Sequence, residues 1–177
     1  MVKIETIPEW ALVPGDEAAI AGLLARCFDT DFGGRSYFRT RHHLRLVSRD
    51  QQGAIIAHMA LQFRAVRLGG RLIHIAALGD VATDPGQRGK GLAGALLQAA
   101  IAAARASRAS HFLLFGTAKL YAAAGFLPAS NPLTYLDLDG ARTGPLRREP
   151  SEVLRVLSLG EAPWENGADL DVLGGLF

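Results

Sequence analysis

The stretch DPGQRGKGLAG, residues 84–94, most constrains this chain. It sits between an extended run, 71–83, and an Ala- and Leu-rich segment, 91–107, that has no proline. That order reads as strand, glycine loop, helix. Gly89, Gly91 and Gly94 spell the G-x-G-x-x-G pattern, and Arg88, Gly91 and Ala93 spell R-x-x-G-x-A. Both are phosphate-binding patterns. Backbone N–H groups at a helix mouth and the positive helix end attract anions. Gly91 lets a diphosphate approach the backbone, and Ala93 keeps the approach open. The bland alternative is a tight strand-to-helix turn, which leaves Arg88 and Lys90 unneeded.

The surroundings decide between the patterns. A nicotinamide-binding loop opens its domain and has an acidic residue about 20 positions later. Here a run of strands comes first, and no Asp or Glu occurs between Pro85 and Leu136. A Walker A loop fails because Lys90 is followed by glycine. The acid-free stretch carries Arg88, Lys90, Arg105, Arg108 and Lys119, which suits a polyanionic ligand.

Upstream, 2–7 reads as a first strand. In 14–28, Ile20, Leu23, Leu24 and Cys27 form one apolar helical face, with Asp16 as expected N-cap. Residues 29–43 read as a loop or short second helix. The runs 44–50, 54–68 and 71–83 read as an antiparallel meander, with Gly69-Gly70 marking a hairpin. Downstream, 111–115 reads as a buried strand, 117–125 as a short helix ended by Gly125, 133–138 as another strand and 150–159 as the final strand. Trp164, Leu173 and Phe177 are expected to pack back on the body.

With 177 residues, 49% hydrophobic and 20% charged, the chain suits one soluble domain, 1–177. No segment reads as a membrane span or signal peptide, so a cytoplasmic location is expected. A single cysteine, Cys27, excludes an internal disulfide and a cysteine metal cluster, and no metal is expected. The net charge of +2 is too small to argue for nucleic acid.

VATDPGQRGKGLAGALLQAA resembles motif A of the GNAT acyltransferase superfamily, and LYAAAGFLP resembles its motif B. The segment 53–82 is also similar to aminoglycoside 2'-N-acetyltransferases and nodulation N-acyltransferases, including the pair Ala57-His58. The likeness covers roughly residues 20–177, with the motifs inside 54–128. It implies an α/β (α+β) fold: a mixed, mostly antiparallel twisted sheet with flanking helices and a splayed parallel strand pair, 78–83 and 111–115.

The resemblance further implies an acyl-CoA-dependent N-acyltransferase with acetyl-CoA as co-substrate and a small-molecule amine as acceptor. The pyrophosphate would lie on Arg88, Gly89, Lys90, Gly91, Leu92, Ala93 and Gly94. The pantetheine arm would pair with Val81, Ala82 and Thr83, and a backbone N–H near Val81 or Ala82 would polarise the thioester. Tyr121 would protonate the departing thiolate. Many relatives carry a Glu where this chain has Gly79, which leaves the base open. Asp80, if a bulge re-aims it, His58, His74 and a water chain are the alternatives, and so is a non-catalytic acyl-CoA-binding protein. Gly79 and Asp31 are assigned to the acceptor side; Asp31 matches a position that holds a cationic sugar in aminoglycoside enzymes. Arg35, Arg39, Arg41 and Arg45 would repel a polycationic drug, or simply form a solvated face. A homodimer stays open.

Overall fold

The structure, a computed structural model, describes residues 3–177; Val2 of the first expected strand lies outside them. The chain divides into two compact units: residues up to Gln62 with Gly79–Ala100, and Phe63–Leu78 with Ile101–Phe177.

In the first unit β1 (Ile4–Pro8), β2 (Leu44–Arg49) and β3 (Ile55–Leu68, here as far as Gln62) pair antiparallel. Helix α1 (Pro14–Cys27) turns Ile20, Leu23 and Leu24 into a core with Phe32, Val47, Ile55 and Ala82. Each such aliphatic side chain contributes about 1.5–3 kcal/mol when fully buried. Val13, not Asp16, is the N-cap, and Pro14 opens the helix, since its missing N–H needs no partner there. Asp16 sits in the first turn and binds Arg49 at 2.7 Å. Residues 29–43 contain no helix. They are held by Phe28, Phe32 and Phe38, with consecutive ring centroids 5.3 Å apart.

In the second unit the sheet order is β6-β9-β5-β4-β3-β10-β7-β8. The strands are the remainder of β3, β4 (Arg71–Thr83, here as far as Leu78), β5 (His111–Phe115), β6 (Leu127–Pro128), β7 (Pro132–Leu136), β8 (Leu146–Pro150), β9 (Leu154–Ser158) and β10 (Leu170–Asp171). β4 and β5 run parallel from Ile75↔His111 to Leu78↔Leu114; β10 and β7 are also parallel, and the other recorded pairings are antiparallel. With helices α1, α2 (Leu92–Ala106) and α3 (Lys119–Ala123), this is a mixed α/β fold. Val66, Leu68, Ile75, Leu113, Val156 and Leu170 anchor the core.

β9 is not the last strand. β10 follows it, with Leu170 opposite both Leu68 and Leu133. Trp164 and Phe177 pack on the core as expected, but Leu173 does not: it is 48% exposed, with a left-handed φ of 52°. Arg64 holds that turn by donating to the carbonyls of Val172 and Gly175.

Candidate active site

The expected phosphate loop lies wholly in the first unit. After β4, Asp84 begins a 3-10 turn, Pro85–Gln87, and its side chain accepts from the Gly86 N–H at 3.0 Å. Gly89 and Gly91 both take φ of +76°, a region closed to most side chains. They turn the chain so that α2 starts with an Ala95 N–H to Gly91 carbonyl bond of 3.0 Å. The amides before Ala95 therefore have no acceptor one turn back. A Cβ at Gly89, Gly91 or Gly94 would meet nothing within 4 Å. Thr83, Gln87, Arg88, Gly91 and Ala93 help line a cavity of about 130 Å³ there. Arg88 bends back to the Thr83 carbonyl at 3.4 Å, and Lys90 to Gln87 at 2.7 Å, both remaining exposed. The acid of the loop is neutralised, because Asp84 pairs with Arg26 of α1 at 3.1 Å. The Thr83 carbonyl also accepts from the Cys27 thiol at 3.3 Å.

Asp80 interrupts the regular strand with a left-handed φ of 48°. Two buried histidines hold it. His58 Nδ1 donates to the Asp80 carbonyl at 2.8 Å, and His42 Nε2 binds its carboxylate at 2.7 Å. Burial raises the Asp80 carboxyl, but the His42 hydrogen bond, with the charges of His42, His58 and Arg45, outweighs it and holds the group below its usual value. Neither His42 nor the left-handed backbone was legible beforehand, since His42 lies in a loop with no periodicity.

Tyr121, in the second unit, is buried on α3, packed edge-on to Phe126 with centroids 6.2 Å apart. Burial pushes its phenol above the usual value, so it stays protonated near neutrality. Gly116 makes room for the ring, since a Cβ there would come within 2.9 Å of Tyr121 Cε2.

A profile of the family described as "Acetyltransferase (GNAT) domain" matches residues 12–129. The chain belongs to the GNAT acetyltransferases. A comparison with curated proteins finds no match. Solved structures share the fold. A GNAT family N-acetyltransferase (YhbS) from Escherichia coli in complex with CoA has TM-score 0.67 and 21% identity, covering 97% of this chain and 91% of that one. A GNAT family acetyltransferase from Brucella melitensis in complex with acetyl-CoA has TM-score 0.61 and 20% identity, covering 96% of each. The ribosomal-protein-S18-alanine N-acetyltransferase from Escherichia coli has TM-score 0.61 and 22% identity, covering 92% of this chain and 97% of that one.

Other expected site residues of this GNAT chain stand differently. Asp31 is exposed, and its carboxylate accepts from the Gly33 N–H at 2.6 Å, closing a turn. Gly79 precedes Asp80 on β4, half-buried. His74 is exposed, in the second unit. Of the four arginines only Arg45 is withdrawn from the surface; Arg35 and Arg39 are half-buried and Arg41 is exposed. Arg45 is fully buried and grips Glu9 through Nε at 2.7 Å and Nη2 at 3.1 Å. Arg41 pairs with Glu9 at 3.0 Å and Glu17 at 2.7 Å. Arg35 and Arg39 lie over the rings of Tyr37 and Phe38. The charge argument against a polycationic acceptor therefore loses Arg41 and Arg45.

Both ring nitrogens of His58 are engaged, Nδ1 by the Asp80 carbonyl and Nε2 by Arg45. The ring is fully buried, and desolvation together with the Arg45 charge lowers its pKa to about 3. An unfolded chain binds a proton on this ring below about 6.5, whereas the folded chain does not until about 3. The stability it confers is complete above pH 6.5 and declines as pH falls toward 3. Between pH 7 and 5 the expected loss is about 2 kcal/mol, read by urea unfolding. His58→Gln should flatten that slope; an unchanged slope contradicts the assignment.

Among the described residues no group of three or more His, Cys, Asp or Glu side chains is arranged to hold a metal ion, and no helix is long and apolar enough to cross a membrane.

Proposed function

We propose that this chain, acting as one catalytic domain, transfers the acetyl group of acetyl-CoA to a primary amine of a small molecule by direct attack. The observation that carries the reading is the loop from Arg88 to Gly94, with two left-handed glycines, open space over them and helix amides without acceptors. Such a mouth receives a diphosphate. CoA and acetyl-CoA in the Escherichia coli and Brucella melitensis structures support that ligand.

In this reading the pantetheine arm adds to the backbone of Val81 and Ala82, and an amide there stabilises the oxyanion. The register supports it, since β5 pairs with β4 only as far as Leu78. Holding thioester and amine together removes most of the entropic barrier. The acceptor enters as an ammonium and loses two protons. One leaves through the Asp80 carboxylate to solvent. The other, released by the tetrahedral nitrogen, replaces the proton that Tyr121 gives to the sulfur. The low proton affinity of Asp80 makes it a relay that holds the ammonium and passes its proton to water.

The test is thiol release from acetyl-CoA with a panel of amino sugars, small alkylamines, aminoglycosides and peptides. Release that depends on a small amine supports the reading. Release with peptides alone would point to a protein acceptor. Tight acetyl-CoA binding with no amine-dependent release would make the chain a carrier-binding protein.

A further inference from the structure

Asp80 is unusual in two independent ways: its backbone is left-handed, and each of its polar ends meets a different buried histidine. Asp is among the non-glycine residues that tolerate that region best, so what marks this position is what holds it there. The neighbours are specific. His58, on β3, holds the carbonyl; its Nε2 lies 3.4 Å from Arg45 Nη1, from which it accepts. Arg45 is in turn bound by Glu9 and by the Ser36 carbonyl at 2.6 Å. With its outer nitrogen facing a permanent cation, His58 can only donate through Nδ1, so the Asp80 carbonyl is fixed.

The carboxylate is governed by the second chain. His42 is buried, and its Nδ1 lies 3.5 Å from the Gln62 amide nitrogen, which also donates to Thr40 Oγ1 at 3.1 Å. An N–H donor facing Nδ1 leaves the ring proton on Nε2, aimed at Asp80 Oδ2. The Asp80 side chain is 12% exposed and that of His42 4%, so the carboxylate keeps a small exposed area while the ring that holds it has almost none.

We propose that His42 is a positioning residue for Asp80, its Nε2–H holding one carboxylate oxygen so that the other faces the incoming ammonium. This rests on Asp80 as the proton relay of the proposed transfer. The charged or titratable groups around it are His42 from the loop before β2, His58 from β3, Arg45 from β2 and, behind Arg45, Glu9. Losing the His42 bond removes the strongest influence that lowers the Asp80 carboxyl and leaves burial to raise it.

The experiment is kcat/KM against pH for the wild type, Asp80→Asn, His42→Phe, His42→Gln and Gln62→Leu, with CoA affinity measured alongside. His42→Phe is expected to lower kcat about 10- to 100-fold with CoA affinity unchanged. Its acid limb should move up by about one pH unit. His42→Gln, which keeps an N–H donor, should recover most of the rate. Gln62→Leu, which frees the tautomer, should shift the limb the same way by less and serves if His42→Phe does not fold. Full activity in Asp80→Asn would sink the relay itself. Loss in Asp80→Asn, with wild-type rate and acid limb in His42→Phe or an unmoved limb in Gln62→Leu, would overturn the positioning role alone. So would a His42→Gln no better than His42→Phe.

Discussion

Gly91→Asp is expected to weaken CoA binding by about 100-fold or more in calorimetry while leaving the protein folded. Gly91 takes φ of +76°, and a Cβ there meets nothing within 4 Å. The substitution therefore causes no collision, and Asp is among the residues that tolerate the left-handed region best. What it adds is a negative charge where the diphosphate should sit. Two unit charges about 4 Å apart repel by about 4 kcal/mol at an effective dielectric of 20, on the order of a thousandfold in affinity. Gly91→Asn, with nearly the same shape and no charge, should lose clearly less. Wild-type affinity in Gly91→Asp would mean that the diphosphate lies elsewhere, and the acetyl-CoA reading would lose its foundation.

The second large effect is on turnover. Tyr121→Phe should lower kcat by about 10²- to 10⁴-fold, with CoA affinity kept within about twofold. The hydroxyl is the only group removed, and Phe fills the same buried space against Phe126. Because burial raises the Tyr121 pKa, the wild type should show no basic limb from this group at neutral pH. Unchanged kcat across the pH range would remove Tyr121 from the reaction.

The sequence disclosed what is encoded locally. The loop at 84–94 and the alanine-rich α2 announce themselves by glycine punctuation and composition, and α1 by the spacing of Ile20, Leu23 and Leu24. It hid what depends on distant partners. β8, Leu-Arg-Arg-Glu-Pro, is exposed along its whole length, so it has no apolar alternation and looks like a loop. β10 has two residues and owes its existence to Leu68 and Leu133 on either side. An arginine after two histidines reads as a surface charge, yet Glu9, 36 positions earlier, allows Arg45 to be fully buried. Asp80 shows the same limit. Strand alternation aims its side chain by rule, and only the two histidines, brought in from positions 42 and 58, show that the rule is broken there.

The two tryptophans sit in opposite settings. Trp10 is 84% exposed, whereas the indole of Trp164 donates to Asn131 at 2.9 Å and lies edge-on to His111. Their fluorescence is therefore already divided: a constant red background from Trp10, and from Trp164 a signal that follows the tail's attachment to the second unit alone. Replacing Trp10 by phenylalanine turns the chain into its own single-site optical gauge.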